Sequence, residues 1–560
     1  MEQRRAWIAP LLALAGLLAA CDAGSPAAPV AAAPPPSAGG APAFRKPPLP
    51  AVPADAAERL RGLVHLLEWG DADMVAFAQE VLAARPDPEA VAAALAEAGE
   101  RGLGRNFMFL NNVLGAVGNA EIGRGMEGLL RRCMEAEDPI TRERALRAWS
   151  RSARDPDPKV LAERAADPWA RTAFAAMAEL ELHGGPAAAE AFRAVFPRIS
   201  PFARAGACNH LGRLGDPASI PLLEKERAAA EALGPAGTSH RVGALQGLAR
   251  LGHEPALEGL REWVAALPLE AGPVDLEGDR SRWDGPEPIL ASRKDPALHA
   301  RLLRQARRGP PDAAAGAVAL LGAAYLPDAD AVAAIRDAME RPDADSILLA
   351  EALDALDRAG AADARAKAVA LLEAPAAHRR YAAALVLARW KDATAVRALA
   401  SRLGRETDPG SGRKICDALG ILGDPAGAPA LVAYLASDAA PEPERALQAW
   451  EASACLRGPL AHAAAKDLAA LAREGRTPAV RFHAARALGR AAKAPEARPA
   501  LEGLLKEADP SLRAAAADAL GALGDPAGRD ALAQAYARET EEPVAQALRN
   551  AILRLDLGNR

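Results

Sequence analysis

The chain has few aromatic side chains. Its 560 residues include 8 Trp, 4 Tyr and 9 Phe, 4% of the total, although half of all residues are apolar. Alanine carries the difference. A sheet sandwich needs large side chains to fill its core, whereas alanine is the best helix former and suits helices stacked at short range. Cysteine is scarce as well: Cys21, Cys133, Cys208, Cys416 and Cys455. None forms a CxxC pair and the last four fall in four separate helical segments, so a close-spaced zinc or redox motif is excluded. Charge of one sign is missing: 68 Lys and Arg stand against 73 Asp and Glu, a net charge of −5. A dedicated nucleic-acid binder would carry a basic imbalance. No HExxH, Walker-type loop or GxSxG occurs. The nine histidines are scattered, whereas a catalytic metal needs about three converging ligands. His65 and Glu68, three apart on one helix face, read as an ordinary surface pair. The expectation is no catalytic residue, no metal, no cofactor and no small-molecule substrate.

What is present begins with an address. Arg4 and Arg5 open the chain, an apolar run follows from Ala6 to Ala20, and Leu18-Ala19-Ala20-Cys21 closes it. A basic start, a short apolar core and small residues before a cut read as a secretory signal over residues 1–20. Fifteen apolar residues containing Pro10 fall short of the roughly 20 that span a bilayer. The last four residues resemble the lipobox of bacterial lipoproteins. That resemblance implies cleavage between Ala20 and Cys21, acylation of Cys21, and a protein lipid-anchored in the bacterial cell envelope. Two or three acyl chains hold firmly, at about 0.8 kcal/mol per buried CH₂. Residues 21–55 are rich in Pro, Ala, Gly and Ser, with Ala33-Pro34-Pro35-Pro36 among them. Their composition predicts a disordered, extended tether.

Residues 56–560 are built from one repeated string. Leu520-Gly521-Ala522-Leu523-Gly524-Asp525-Pro526 recurs as Leu419 to Pro425 and as Leu211 to Pro217. Taking the first Leu as marker, positions fall at Leu114, Leu146, Leu180, Leu211, Leu248, Leu320, Leu353, Leu385, Leu419, Leu456, Leu488 and Leu520. The steps are near 33 residues, except one of 72 between Leu248 and Leu320. Apolar residues before each string recur at three- and four-residue steps, as one helix face requires. The second Gly fits a helix C′ position, and Asp-Pro suits the next helix entry. A second proline at Pro221 and Pro429 predicts that this next helix begins a few residues past the turn. The fold class expected is all-α: an α-solenoid of about thirteen helix-turn-helix repeats after the tether.

This string and period resemble the HEAT-repeat family, and more closely its phycobilisome-lyase-type branch. The resemblance implies a curved surface for protein partners. The unit at Leu385 to Trp390 departs from the pattern, with no glycine at its turn, and the unit near Leu456 is poorly defined. A TPR array is the alternative, but its Trp/Gly/Tyr spacing is missing. Three activities known among HEAT-like proteins do not carry over. The bilin lyases are cytosolic, and the glycosylases act on DNA that an exported protein does not meet. The di-iron hydroxylases need several His-Glu pairs where this chain has only His253-Glu254.

The 72-residue step holds the one interruption. Residues 268–288 show no helical period and carry an acidic excess with Trp283 among it. Just after it, Arg301, Arg304 and Arg308 lie on one helix face. Trp283 as an anchor and these three arginines as an acidic partner's contact are the candidate binding residues. The function expected is a membrane-anchored, non-catalytic protein–protein scaffold of the envelope, bound to membrane through Cys21, to protein partners and to no nucleic acid. The alternative is an envelope enzyme, or enzyme subunit, with its site in the 268–288 loop or the repeats beside it.

Overall fold

A computed structural model describes residues 46–49, 51–270, 285–437 and 444–558. Contacts divide the chain into Met1–Pro47 and Pro48–Arg560, and every described helix lies in the second part. Cys21, the leader and most of the tether fall outside the described residues, as does Trp283. Among the described residues there is no strand.

Thirty-one α-helices alternate between two layers, and Ala120–Gly125 with Glu127–Cys133 share one position, which makes fifteen pairs. Each pair, or unit, is an outer helix followed by an inner one. Unit 1 is Ala56–Trp69 with Ala72–Ala83, and unit 15 is Arg529–Arg538 with Glu542–Gly558. The string joins one unit's inner helix to the next unit's outer helix. Gly215, Gly423 and Gly524 take φ of 75°, 67° and 71° at the inner helix's end, the left-handed region that costs glycine nothing. Asp216, Asp424 and Asp525 accept from the backbone N–H two residues on. A short 3₁₀ turn follows, and the outer helix starts at Ile220, Ala428 or Arg529. Pro221 and Pro429 thus stand in its first turn, where a missing N–H costs little.

Fifteen units exceed the thirteen expected, and the twelve marker leucines leave three inner helices unmarked, those of units 1, 7 and 15. In unit 1 the chain leaves through Ala84-Arg85-Pro86, and in unit 15 the inner helix Glu542–Gly558 contains no such string. In unit 7 the inner helix is only Pro286–Ser292 and ends at Lys294 with φ 56°. That helix also begins inside the span expected to be loop, so the interruption closes by Gly285. At the unit without a turn glycine, Lys391 takes φ 53° in its place.

Inner helices of successive units touch backbone to backbone. A Cβ on Gly212 would stand 2.5 Å from Gly247 Cα, and one on Gly243 would stand 2.3 Å from the Ala205 carbonyl oxygen. Gly489 against Ala519 and Gly521 against Ala551 repeat this. Between outer helices the spacers are side chains, such as Leu129 beside Gly99. A layer with closer helix spacing sits on the inside of a curve, so the array bends toward its inner layer. It closes on itself. Asn550 Nδ2 donates to Asp71 Oδ2 at 2.8 Å, and the Arg554 guanidinium lies 5.9 Å from the centre of the Phe77 ring. Leu557 fills the space beside Gly62, and Leu66, Met74 and Leu553 are buried at this seam. The first and last units are therefore neighbours.

A recurring arginine ties several successive units at the other turn. Arg380 donates Nε and an Nη to both Glu406 oxygens at 2.7 Å, and its other Nη to the Ala374 and Pro375 carbonyls. Glu406 in turn accepts the Thr407 and Asp408 N–H groups. Arg513 with Glu539, and Arg142 with Asp167, repeat the bidentate pair. Burial works against the charged Glu406 carboxylate, but the Arg380 and Arg402 guanidiniums outweigh it and hold the group near 2. Its stabilising effect is present above the unfolded carboxyl's range near 4.3 and is lost as pH falls toward 2.

Two glycines separate close approach from helix propensity. Gly212→Ala must push a helix backbone aside and is expected to cost about 3 kcal/mol. Gly503→Ala, in the last turn of the outer helix Ala497–Leu504 with open space around it, is expected to stabilise by about 0.5–1 kcal/mol. Urea unfolding of both variants checks the contrast. Equal effects would mean the inner layer is not held at backbone distance.

Candidate interaction surface

The side of the inner layer turned away from the outer helices is lined by residues the helical period leaves out of the core. In units 3 and 4 it is arginine-rich. Pro139–Ser152 buries Leu146 and Trp149 toward the outer layer, which leaves Arg144, Arg147 and Arg151 on the opposite side. Arg171 stands beside them in the first turn of Ala170–His183. Two buried carboxylates lie among these four cations. Glu143 meets Arg147 Nε and Arg171 Nε, each at 3.3 Å. Glu179 accepts from Ser150 Oγ at 2.8 Å, with Arg151 Nε 3.9 Å away. Two positive charges remain in excess, and the Arg171 side chain is 71% exposed. Charge continues into unit 5 and beyond. Burial pushes the Glu181 carboxyl up, but hydrogen bonds from His210 and Arg213 hold it below its usual range. Burial, together with the Arg213 charge, brings Arg250 down to about 10, and its Nε donates to Asn209 Oδ1 at 2.9 Å. Such a surface offers planar, bidentate donors to carboxylates of a second molecule.

A second feature is a lone acid in unit 12. Glu451 is buried, and Arg413 Nε at 3.9 Å is its nearest cation. Burial pushes its carboxyl up to about 7. Cys455 nearby is pushed up to about 12 by burial, and Cys416 well above the ordinary thiol. Both are therefore thiols at neutral pH and poor nucleophiles. Cys133 and Cys208 are likewise buried and free. Among the described residues no three His, Cys, Asp or Glu gather as metal ligands, and no helix is long and apolar enough to cross a membrane. His253 pairs with Glu224 at 3.1 Å and not with its neighbour Glu254.

At the seam a groove of about 330 Å³ runs between the two ends of the array, lined by Glu58, His65, Trp69, Arg549 and Leu557 among others.

The arginines singled out in the sequence separate. Arg301 is buried and donates to the Leu267 and Pro268 carbonyls at 2.7 and 2.8 Å. It fixes the point where the chain leaves its outer helix. It therefore cannot share an exposed face with Arg304 and Arg308, which do lie at the surface. The units 3–4 cluster was missed, although its signal is plain in Arg144-Ala-Leu-Arg147-Ala-Trp-Ser-Arg151, with arginines at three- and four-residue steps.

The sequence profile of HEAT repeats matches residues 366–451 and 465–552. No curated protein sequence matches the chain. Among solved structures, the array is similar to the karyopherin Kap121p bound to Pho4p, at 12% identity and a TM-score of 0.29, over 85% of this chain. The chain spans 55% of the length of Kap121p. It is similar to the phycocyanin lyase complex of CpcE and CpcF from Nostoc sp. PCC7120, at 21% identity and TM-score 0.22, over 46% of this chain and 94% of that one. Human deoxyhypusine hydroxylase matches at 20% identity and TM-score 0.19, over 48% and 98%.

Glu451 gives a pH signature. Its folded carboxyl is raised above the unfolded value, so the folded state holds more protons between about pH 4.3 and 7. Stability is expected to fall as pH rises through that window and to stay low above it. Glu451→Gln removes this slope and raises the urea midpoint at pH 8 relative to the parent chain. Parallel pH curves for the two proteins would show that Glu451 is ionised in the fold.

Proposed function

We propose that this protein is a non-catalytic scaffold of the bacterial cell envelope, tethered by acylated Cys21, whose inner face binds an acidic segment of a partner protein. The coarse part of this reading rests on the repeat architecture, an α-solenoid of HEAT-like units. The finer part is carried by one observation: three arginines, Arg147, Arg151 and Arg171, face two carboxylates on an otherwise accessible surface, with Arg144 on the same helix side. The envelope address rests on Leu18-Ala19-Ala20-Cys21 after the apolar run. An envelope enzyme is the competing reading. The Glu451 carboxyl, held near 7 as a general acid would be, is the observation in its favour.

Two experiments test the proposal. Cys21→Ser is expected to move the protein from the membrane to the soluble fraction of lysed cells, and unchanged attachment would sink the anchor. Capture from detergent-solubilised envelopes is expected to recover a stoichiometric partner with the parent chain. With Arg147→Glu and Arg171→Glu together, at least tenfold less should be recovered, and added salt should weaken capture of the parent. Recovery that ignores both the double variant and salt would rule out the arginine face. Turnover of an envelope substrate that depends on Glu451 would establish the enzyme instead.

A further inference from the structure

Large apolar side chains that face water are not spread at random over the array. Six successive units each place one in the turn between outer and inner helix. Unit 1 has Trp69, the last residue of its outer helix, 71% exposed. Unit 2 has Phe107, the first residue of its inner helix. Unit 3 has Ile140 and unit 4 has Trp169, at the second residue and the N-cap of their inner helices. Unit 5 has Phe202, 79% exposed just before Arg204–Leu214, and unit 6 has Leu233, the C-cap of its outer helix. All these turns belong to the same edge of the array, because outer helices end and inner helices begin there. The turns are tied side by side. Asp167 takes both the Arg142 fork of the preceding unit and the Trp169 N–H, and Thr172 Oγ1 donates to the Pro139 carbonyl.

We infer that this rim is a docking surface for a phospholipid bilayer. Three observations select that occupant. First, neighbouring helices lie about 8–10 Å apart. Six anchors in six units are therefore dispersed along one edge, whereas a protein hot spot gathers its large residues into one central pocket. A row of separate side chains on one edge of an array that closes on itself suits a plane. Second, Trp and Phe are the residues that seat at the membrane–water boundary. Third, exposed arginines share these turns. Arg105 lies two residues before Phe107, and Arg198, whose exposed side chain also meets Glu163 at 2.7 Å, lies four before Phe202. Each can meet a lipid phosphate. Glu137 and Asp73 stand on the same edge and give it a mixed rather than uniformly basic character.

The inference deepens the tethered-scaffold reading and rests on separate residues. The tether enters at Asp55 on the opposite edge, because the first outer helix starts there. Thirty-odd residues from Cys21 reach about 100 Å when extended, at about 3 Å each. A 14-residue helix is about 21 Å long. An anchored Cys21 therefore leaves the rim free to lie on the membrane.

Hydrogen exchange on the acylated full chain in phosphatidylcholine–phosphatidylglycerol liposomes tests this. Amides of residues 103–110, 137–142, 167–172 and 199–205 are expected to be protected at least threefold over the same protein in mild detergent. Phe107→Ser, Trp169→Ser and Phe202→Ser together alter only exposed side chains. They should abolish that protection while leaving the protein attached through Cys21. The Cys21→Ser chain should wash off membranes on dilution of lysed cells, since the rim alone binds weakly, yet keep rim protection at saturating liposome concentration, which separates failure of the anchor from failure of the rim. Three results would overturn the inference: rim amides unprotected in liposomes, protection unchanged in the triple variant, or protection in lipid-free solution. The last, if accompanied by a rim-dependent dimer in sedimentation, would assign the edge to a second copy of this chain; without the dimer, it would assign the edge to a bound protein.

Discussion

The close approach of the inner helices is the constraint on which the rest depends. Backbones meet where Gly212 faces Gly247 and where Gly489 faces Ala519. Only residues with little or no side chain allow this. Where a side chain such as Leu129 separates outer helices while inner backbones meet, the unit is a wedge, and such wedges accumulate in one direction. Fifteen units bring Leu557 against Gly62 and Asn550 against Asp71. Closure buries the apolar ends that an open repeat array must cover with polar caps. The alanine-rich composition is in this sense the cause of the curvature.

The two edges of the wall differ because different chemistry ends and starts helices. On the string edge, glycine in the left-handed region and an aspartate cap make a tight, polar turn. On the other edge several turns are held by arginine forks such as Arg380 on Glu406 and Arg513 on Glu539, which satisfy backbone carbonyls while their carboxylate partners accept backbone N–H groups. In six units a turn on that edge carries a large, exposed apolar side chain. The inner face is different again, with arginines that outnumber the buried carboxylates they surround.

Much of the fold could be read from residue patterns, and the site much less. The three strings locate inner-helix ends because a left-handed glycine, a capping aspartate and a proline are each required by local backbone geometry. Where Lys294 takes the glycine's place, the marker vanishes although the turn remains, whereas at Lys391 only the glycine is missing and Leu385 still marks the unit. Arg301, Arg304 and Arg308 share a helical face by spacing, yet Arg301 turns into the wall to hold the Leu267 and Pro268 carbonyls. Spacing reports the angle around a helix axis and is silent on what lies opposite.

The sequence by itself determined that the chain is an array of paired helices, roughly where each pair ends, and that the repeated aspartates are caps. These depend on contacts within a few residues. Tertiary structure alone decided that the array closes, that Glu451 and Arg301 are buried, and that Arg147 of one unit and Arg171 of the next share Glu143. It alone brought Trp69, Phe107, Ile140, Trp169, Phe202 and Leu233 onto one edge. Each of these depends on summing a small rotation over many units, and no local pattern encodes that sum.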